Sequence, residues 1–193
     1  MLLVQEKSTK TYTLHEYMLR EERVQHKYEF HNGRITRTKD KTTKHNLLAT
    51  NVLGNIAMQL ENTTQHFTML NSRQKIYIAA LDKVLYPDVL VVFETPEHFE
   101  NSESLLINPL LIVEVASKST KNYDRSDKFM HYRMLPSLKE YVLIAQDVPQ
   151  IETFFLEREN TWNITKETNL DASIHFRSIG VSLDLQKIYK KVF

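Results

Sequence analysis

The run "LLIVEVA", residues 110 to 116, surrounds one carboxylate, Glu114, with six apolar residues. Such a run reads as a buried β-strand. An ionised carboxylate carried into a low-dielectric interior costs several kcal/mol even after relaxation, so the fold must bring a compensating partner to Glu114. A second strand-like run, "YPDVLVVFE" (86 to 94), carries Asp88 directly behind Pro87, which is tolerated near a strand start because it cannot donate to the ladder. Two carboxylates on two strands can share a hard, oxygen-preferring ion such as Mg²⁺ or Mn²⁺. Such a site keeps positions open for water and a phosphate oxygen, as metal-assisted phosphodiester hydrolysis requires. The alternatives are a plain salt bridge for Glu114 and a turn-capping role for Asp88.

A cation is the third requirement. After Glu114 the chain passes through "SKSTKN" into "YDRSDKFMHYRML" (123 to 135), a helix stopped by Pro136. Its permanent cations are Arg125, Lys128 and Arg133, and only Lys128 is an amine. An ammonium facing back to the strand could align an attacking water and offset charge building on phosphorus. Lys118 and Lys121 fall in the connecting loop. Lys128 could equally be a solvated lysine paired with Asp124, four residues earlier.

Elsewhere, "TLHEYMLREER" (13 to 23) opens with a Thr13-to-Glu16 capping box and predicts a helix. Asn32-Gly33 in "KYEFHNGRITRT" (27 to 38) predicts a two-residue hairpin turn. Residues 43 to 61 place Leu48, Val52, Ile56 and Leu60 four apart, an amphipathic helix. Strands are expected at 72–80, 140–146, 151–157, 161–167 and 173–179, with a closing helix over 183–193. The expectation is one domain over residues 1–193, an α/β fold with a mixed sheet flanked by helices and a strand-rich C-terminal half.

Composition removes most competing chemistries. The chain has no cysteine, so disulfides, thiolate zinc sites and cysteine nucleophiles are absent. Gly33, Gly54 and Gly180 lie too far apart for a dinucleotide fingerprint, a P-loop or a nucleophile elbow. "HEYML" (15 to 19) has Leu19 where a zinc motif needs its second histidine. "HFE" (98 to 100) has no cysteines to complete a deaminase site. The four-residue apolar start of "MLLVQEKSTK" is too short for a signal peptide, and no stretch approaches the ~18 apolar residues of a membrane span. A cytoplasmic protein without membrane contact is expected. With a net charge of +1, any basic surface must be local. The stretch "RITRTKDKTTKH" (34 to 45) carries five Lys or Arg against Asp40. It could track a phosphate backbone or simply guard a solvated edge.

Taken together, "YPDVLVVFE", "NPLLIVEVASKST", "YDRSDKFMHY" and "LKEYVLI" resemble the PD-(D/E)xK nuclease superfamily, and within it the Uma-two family. The resemblance runs from about "KYEFHNGRI" to the terminal helix. It implies a restriction-endonuclease-like core and Mg²⁺-dependent cleavage of DNA, with metal bound by Asp88, Glu114 and the backbone carbonyl of Val115. The superfamily's lysine slot is Ala116 here. The resemblance implies its displacement to the following helix, where Asp124, Lys128 and Tyr132 match. It assigns Glu29 as a further member of the site, although Glu29 could also pair across its hairpin. It also matches His45, which alone would read as a core or helix-start histidine. The chain departs from the family at Ser117-Lys118-Ser119-Thr120 and over Tyr141 to Ala145. The activity implied is an endonuclease releasing a 5′-phosphate and a 3′-hydroxyl. A homodimer would supply the two sites that duplex cleavage needs. The alternative is a nucleic-acid-binding or assembly module without turnover, which the loss of lysine at Ala116 would suit. An RNA or structure-specific nuclease would share the same site.

Overall fold

The computed structural model of the chain describes residues 10–100, 102–118, 120 and 123–193. The apolar N-terminal start, Ser119 and Lys121 lie outside them. In chain order the elements are α1 (Leu14–Glu21), β1 (Tyr28–His31), β2 (Arg34–Arg37), α2 (Thr43–Leu60), β3 (Phe67–Asn71) and β4 (Lys75–Ile78). Next come β5 (Lys83–Leu85), β6 (Val89–Phe93), β7 (Leu105–Leu106) and β8 (Leu111–Ala116). Helix α3 is a π-helical turn, Asp124–Lys128, running into an α-helical turn, Phe129–Tyr132. The chain closes with β9 (Glu140–Ala145), β10 (Ile151–Arg158), β11 (Thr161–Glu167), β12 (Ser173–Phe176), β13 (Val181–Asp184) and α4 (Leu185–Ile188).

Strand β8 lies inside a six-stranded mixed sheet of order β11-β10-β9-β8-β6-β3, antiparallel to β6 and parallel to β9. All six of its residues are buried, which explains a run apolar except at Glu114: both faces of the strand are covered. Leu111, Val113 and Val115 pack with Leu48, Val52 and Ile56 of α2. Ile112 and Ala116 pack on the other side with Phe129 and Tyr132 of α3 and with Leu135 and Leu138. The two-residue period of a strand therefore places Glu114 on the α3 side.

Local chemistry explains the elements that position this sheet. The reciprocal capping box at Thr13 and Glu16 starts α1. Thr42 caps α2 through the His45 backbone N–H, and the stripe read from the sequence is the buried one. The β1–β2 turn places both Asn32 (φ 44°) and Gly33 (φ 82°) in the left-handed region, as a two-residue hairpin demands. A Cβ on Gly33 would also meet the Thr11 side chain at 2.2 Å. This hairpin belongs to a five-stranded sheet of order β2-β1-β5-β4-β7, under which Tyr17 of α1, Phe30 and Val84 form a smaller core.

The molecule is thus a mixed α/β structure with helix-flanked sheets and a strand-rich C-terminal half. Several boundaries differ from the sequence expectation. The strand expected over 72–80 is only Lys75–Ile78, followed by a 3₁₀ turn at Ala79–Leu81. The closing helix expected over 183–193 is shorter: its first two residues end strand β13, paired with β12, and α4 spans only Leu185–Ile188. Asp88 stands one residue before β6, because its side chain replaces a ladder bond there: Oδ2 accepts the Val115 N–H at 2.8 Å. Among the described residues no helix is long and apolar enough to cross a membrane.

Candidate active site

Val89 of β6 faces Val113 of β8 in antiparallel register, so one step before the strand Asp88 comes level with Glu114. Both carboxylates are buried, at 2% and 1% exposure. Asp88 is held on two sides. Oδ1 stands 2.8 Å from His45 Nε2, and since a carboxylate can only accept, the imidazole N–H donates. Val115 occupies Oδ2. In an extended strand a residue's N–H and C=O leave by the same edge, which turns the Val115 carbonyl toward Asp88 as well. Ala116, the next residue, turns its carbonyl the other way and accepts from the Gln146 N–H.

Glu114 is held from α3. Lys128 Nζ and Tyr132 Oη each donate to its Oε1 at 2.8 Å. Asp124 stands 3.8 Å from the same ammonium. Asp124, Lys128 and Tyr132 recur every fourth residue and face one way, and the π-helical turn lies where Lys128 must reach back to the strand. Arg125 points away to Glu152 at 2.7 Å, and Arg133 to the Met130 sulfur. The Lys118 N–H bonds Asp147 outside the site.

A cavity of about 590 Å³ opens over these groups, with Asp88, Glu29, Asp124 and Lys128 on its wall beside Lys27 and Lys41. Glu29 reaches this wall from β1 in the other sheet and pairs with His31 at 3.3 Å. Lys41 Nζ stands 3.7 Å from Asp88 Oδ1. Lys27 donates to the Ser72 carbonyl and hydroxyl, and its ammonium lies 5.3 Å from the Tyr86 ring centroid.

The electrostatics follow from burial and crowding. Burial pushes the Glu114 carboxyl up, Lys128 pulls it down, and Asp88 and Asp124 push it up further; the net direction is up. Burial alone would raise Asp88 too, but the His45 hydrogen bond, the Lys41 charge and the Val115 N–H outweigh it and hold it low. Burial works against the Lys128 ammonium, yet Glu114, Glu29 and Asp124 around it keep it firmly charged. Burial likewise raises Glu29, and its His31 hydrogen bond and the Lys128 charge more than offset this.

The structure therefore places Asp88, Lys128 and Glu29 on the wall of one cavity, with Glu114 buried behind it in direct contact with Lys128. His45 has more than a core role, since its ring holds the Asp88 carboxylate. Tyr132 enters as a second donor to Glu114. Lys41 and Lys27 were not singled out from the sequence: one lies inside a charge run and the other at a strand edge. Among the described residues no three His, Cys, Asp or Glu side chains gather as a metal cage. Two carboxylates and a backbone carbonyl, all oxygen donors, still suit an ion such as Mg²⁺, which completes its shell with water and substrate phosphate. The register supports that fit, because Asp88 and Glu114 come level on adjacent strand segments.

A family model described as "Putative restriction endonuclease", Uma2, matches residues 14–186. The uncharacterized protein sll1609 of Synechocystis sp. is 34% identical over 169 residues, covering 88% of this chain and 94% of its own. The uncharacterized protein slr1290 of the same organism is 28% identical over 175 residues, covering 91% and 90%. A crystal structure of a "putative nuclease belonging to DUF820" from Anabaena variabilis superposes with a TM-score of 0.73 at 15% identity, over 94% of this chain and 99% of that one. At that identity the likeness speaks for the fold.

Proposed function

The chain belongs to the Uma2 family, described as "Putative restriction endonuclease", and on that premise we propose that it is an endonuclease hydrolysing DNA phosphodiester bonds with Mg²⁺, or Mn²⁺ in its place. The observation that carries the reading is the convergence of Asp88 and Glu114 from adjacent strand segments, with Lys128 bonded to Glu114 at the wall of the same cavity. Asp88, Glu114 and the Val115 carbonyl would hold the ion, with Glu29 completing the site. When bound, a divalent ion supplies Lewis acidity toward a phosphate oxygen and eases deprotonation of water.

The chain's own groups do the rest. His45 fixes the Asp88 carboxylate, and Tyr132 and Lys128 fix Glu114 by one oxygen, which leaves Oε2 to meet the ion. The Lys128 ammonium orients the attacking water and offsets charge developing on phosphorus. Lys27, Lys41, Arg37 and Lys39 rim the cavity and would receive the nucleic-acid backbone. The products would be a 5′-phosphate and a 3′-hydroxyl, and a homodimer would cut both strands.

The test is a nicking assay on supercoiled plasmid with Mg²⁺ or Mn²⁺, with and without chelator, beside Glu114→Ala and Asp88→Ala. Metal-dependent nicking lost in both variants is expected. Nicking that survives in the variants would assign the activity elsewhere. A second reading, a nucleic-acid-binding module without turnover, draws on Ala116 in the usual lysine position and on carboxylates already partnered by Lys128 and His45. Binding of duplex with no nicking under any metal would favour it.

A further inference from the structure

Lys41 meets the carboxylate that a metal would need. Its ammonium stands 3.7 Å from Asp88 Oδ1, the oxygen that also accepts from His45. That separation is too long for a hydrogen bond, so charge alone holds the amine there. Two other lysines on the cavity wall are committed elsewhere, Lys27 to Ser72 and Lys128 to Glu114. The Lys41 side chain is 43% exposed, against 7% for Lys128. Its backbone is nonetheless well placed: the next residue, Thr42, caps α2 and bonds the side chain of Gln146 at 3.0 Å. An anchored backbone and an exposed four-carbon stem let the amine swing without moving the site.

We propose that Lys41 is a placeholder cation: it balances Asp88 while no divalent ion is bound, and turns into the cavity to hold the substrate phosphodiester once one is. The inference rests on the metal-dependent nuclease reading above. A divalent ion on Asp88 repels an ammonium about 4 Å away, and a phosphate entering the cavity attracts it. The same charge therefore opposes metal binding and favours nucleic-acid binding, two effects that a merely structural lysine would not show in opposite directions.

The experiment uses the full chain with Lys41→Met and Lys41→Arg. Titration calorimetry with Mg²⁺ alone reads the first effect. Fluorescence anisotropy of a labelled DNA duplex in Ca²⁺, repeated across salt concentrations and with the duplex checked on a gel, reads the second. For Lys41→Met the expected Mg²⁺ affinity is roughly three- to tenfold tighter. Its duplex affinity is expected to be about five- to tenfold weaker near 0.1 M salt, with a log–log salt slope shallower by about one. Lys41→Arg keeps the wild-type slope. Unchanged or weaker Mg²⁺ binding in Lys41→Met, or an unchanged slope, overturns the placeholder. A wild-type protein that takes up no Mg²⁺ overturns it together with the nuclease reading, whereas Mg²⁺ uptake lost in Asp88→Asn keeps that reading standing when Lys41 fails.

Discussion

Glu114 is where the cost of the site is concentrated. Burial and the neighbouring Asp88 and Asp124 raise its carboxyl against the pull of Lys128. Between the ordinary carboxylate range and that raised value, the folded protein keeps a proton that the unfolded chain has lost. Stability must therefore fall as pH rises through the window, by up to about 1.4 kcal/mol per pH unit. Glu114→Gln removes the titration. We expect its melting temperature to fall less than the wild type's between pH 5 and pH 8. Parallel melting curves for the two proteins would contradict the shift. A metal competes with that proton, so Mg²⁺ should raise the wild-type melting temperature more at pH 8 than at pH 5. Tyr132→Phe removes one of the two donors to Glu114 and leaves the ring packing intact. It should cost about 1–2 kcal/mol in urea unfolding, and no change would mean that the hydroxyl is not needed there.

At the scale of elements, a covered strand and a displaced helix share the work. β8 is apolar except at Glu114 because α2 and α3 cover its opposite faces, and α3 then has to supply the polar partners that Glu114 needs. The parts legible in the sequence are those with a local physical signature: the Thr13 capping box, the Asn32-Gly33 turn and the four-residue stripe of α2. β3, β5 and β7 escaped notice because strands of two to five residues, partly buried or without alternation, carry no periodic signal. β13 was not expected as a strand, its last two residues falling inside the expected closing helix, since its pairing with β12 is a tertiary fact. The site divides in the same way. Asp88 and Glu114 stand out as carboxylates in strand-like runs, and Lys128 stands out as the one amine among the permanent cations of its helix, which the family resemblance also matches. His45 was weighed as a core histidine because a lone histidine does not reveal its partner 43 residues away.

Across the whole molecule, a net charge of +1 leaves room for a local cluster of cations. Lys27, Arg37, Lys39 and Lys41 gather on the cavity wall, where β1, β2 and the turn into α2 meet the six-stranded sheet. Duplex binding should weaken steeply with salt, and Lys39→Ala should flatten the log–log slope by about one while changing affinity evenly across sequences. A slope unaffected by any rim substitution would move the nucleic-acid path to another face.

The central claim is that Asp88 and Glu114 hold one divalent ion between them. The most direct measurement is anomalous diffraction at the manganese edge from crystals of the protein soaked in Mn²⁺. The expected result is a single strong peak within bonding distance of both carboxylates and the Val115 carbonyl, absent from Glu114→Gln crystals. Soaked wild-type crystals with no peak there, Lys128 and His45 still closing on the two carboxylates, would contradict it.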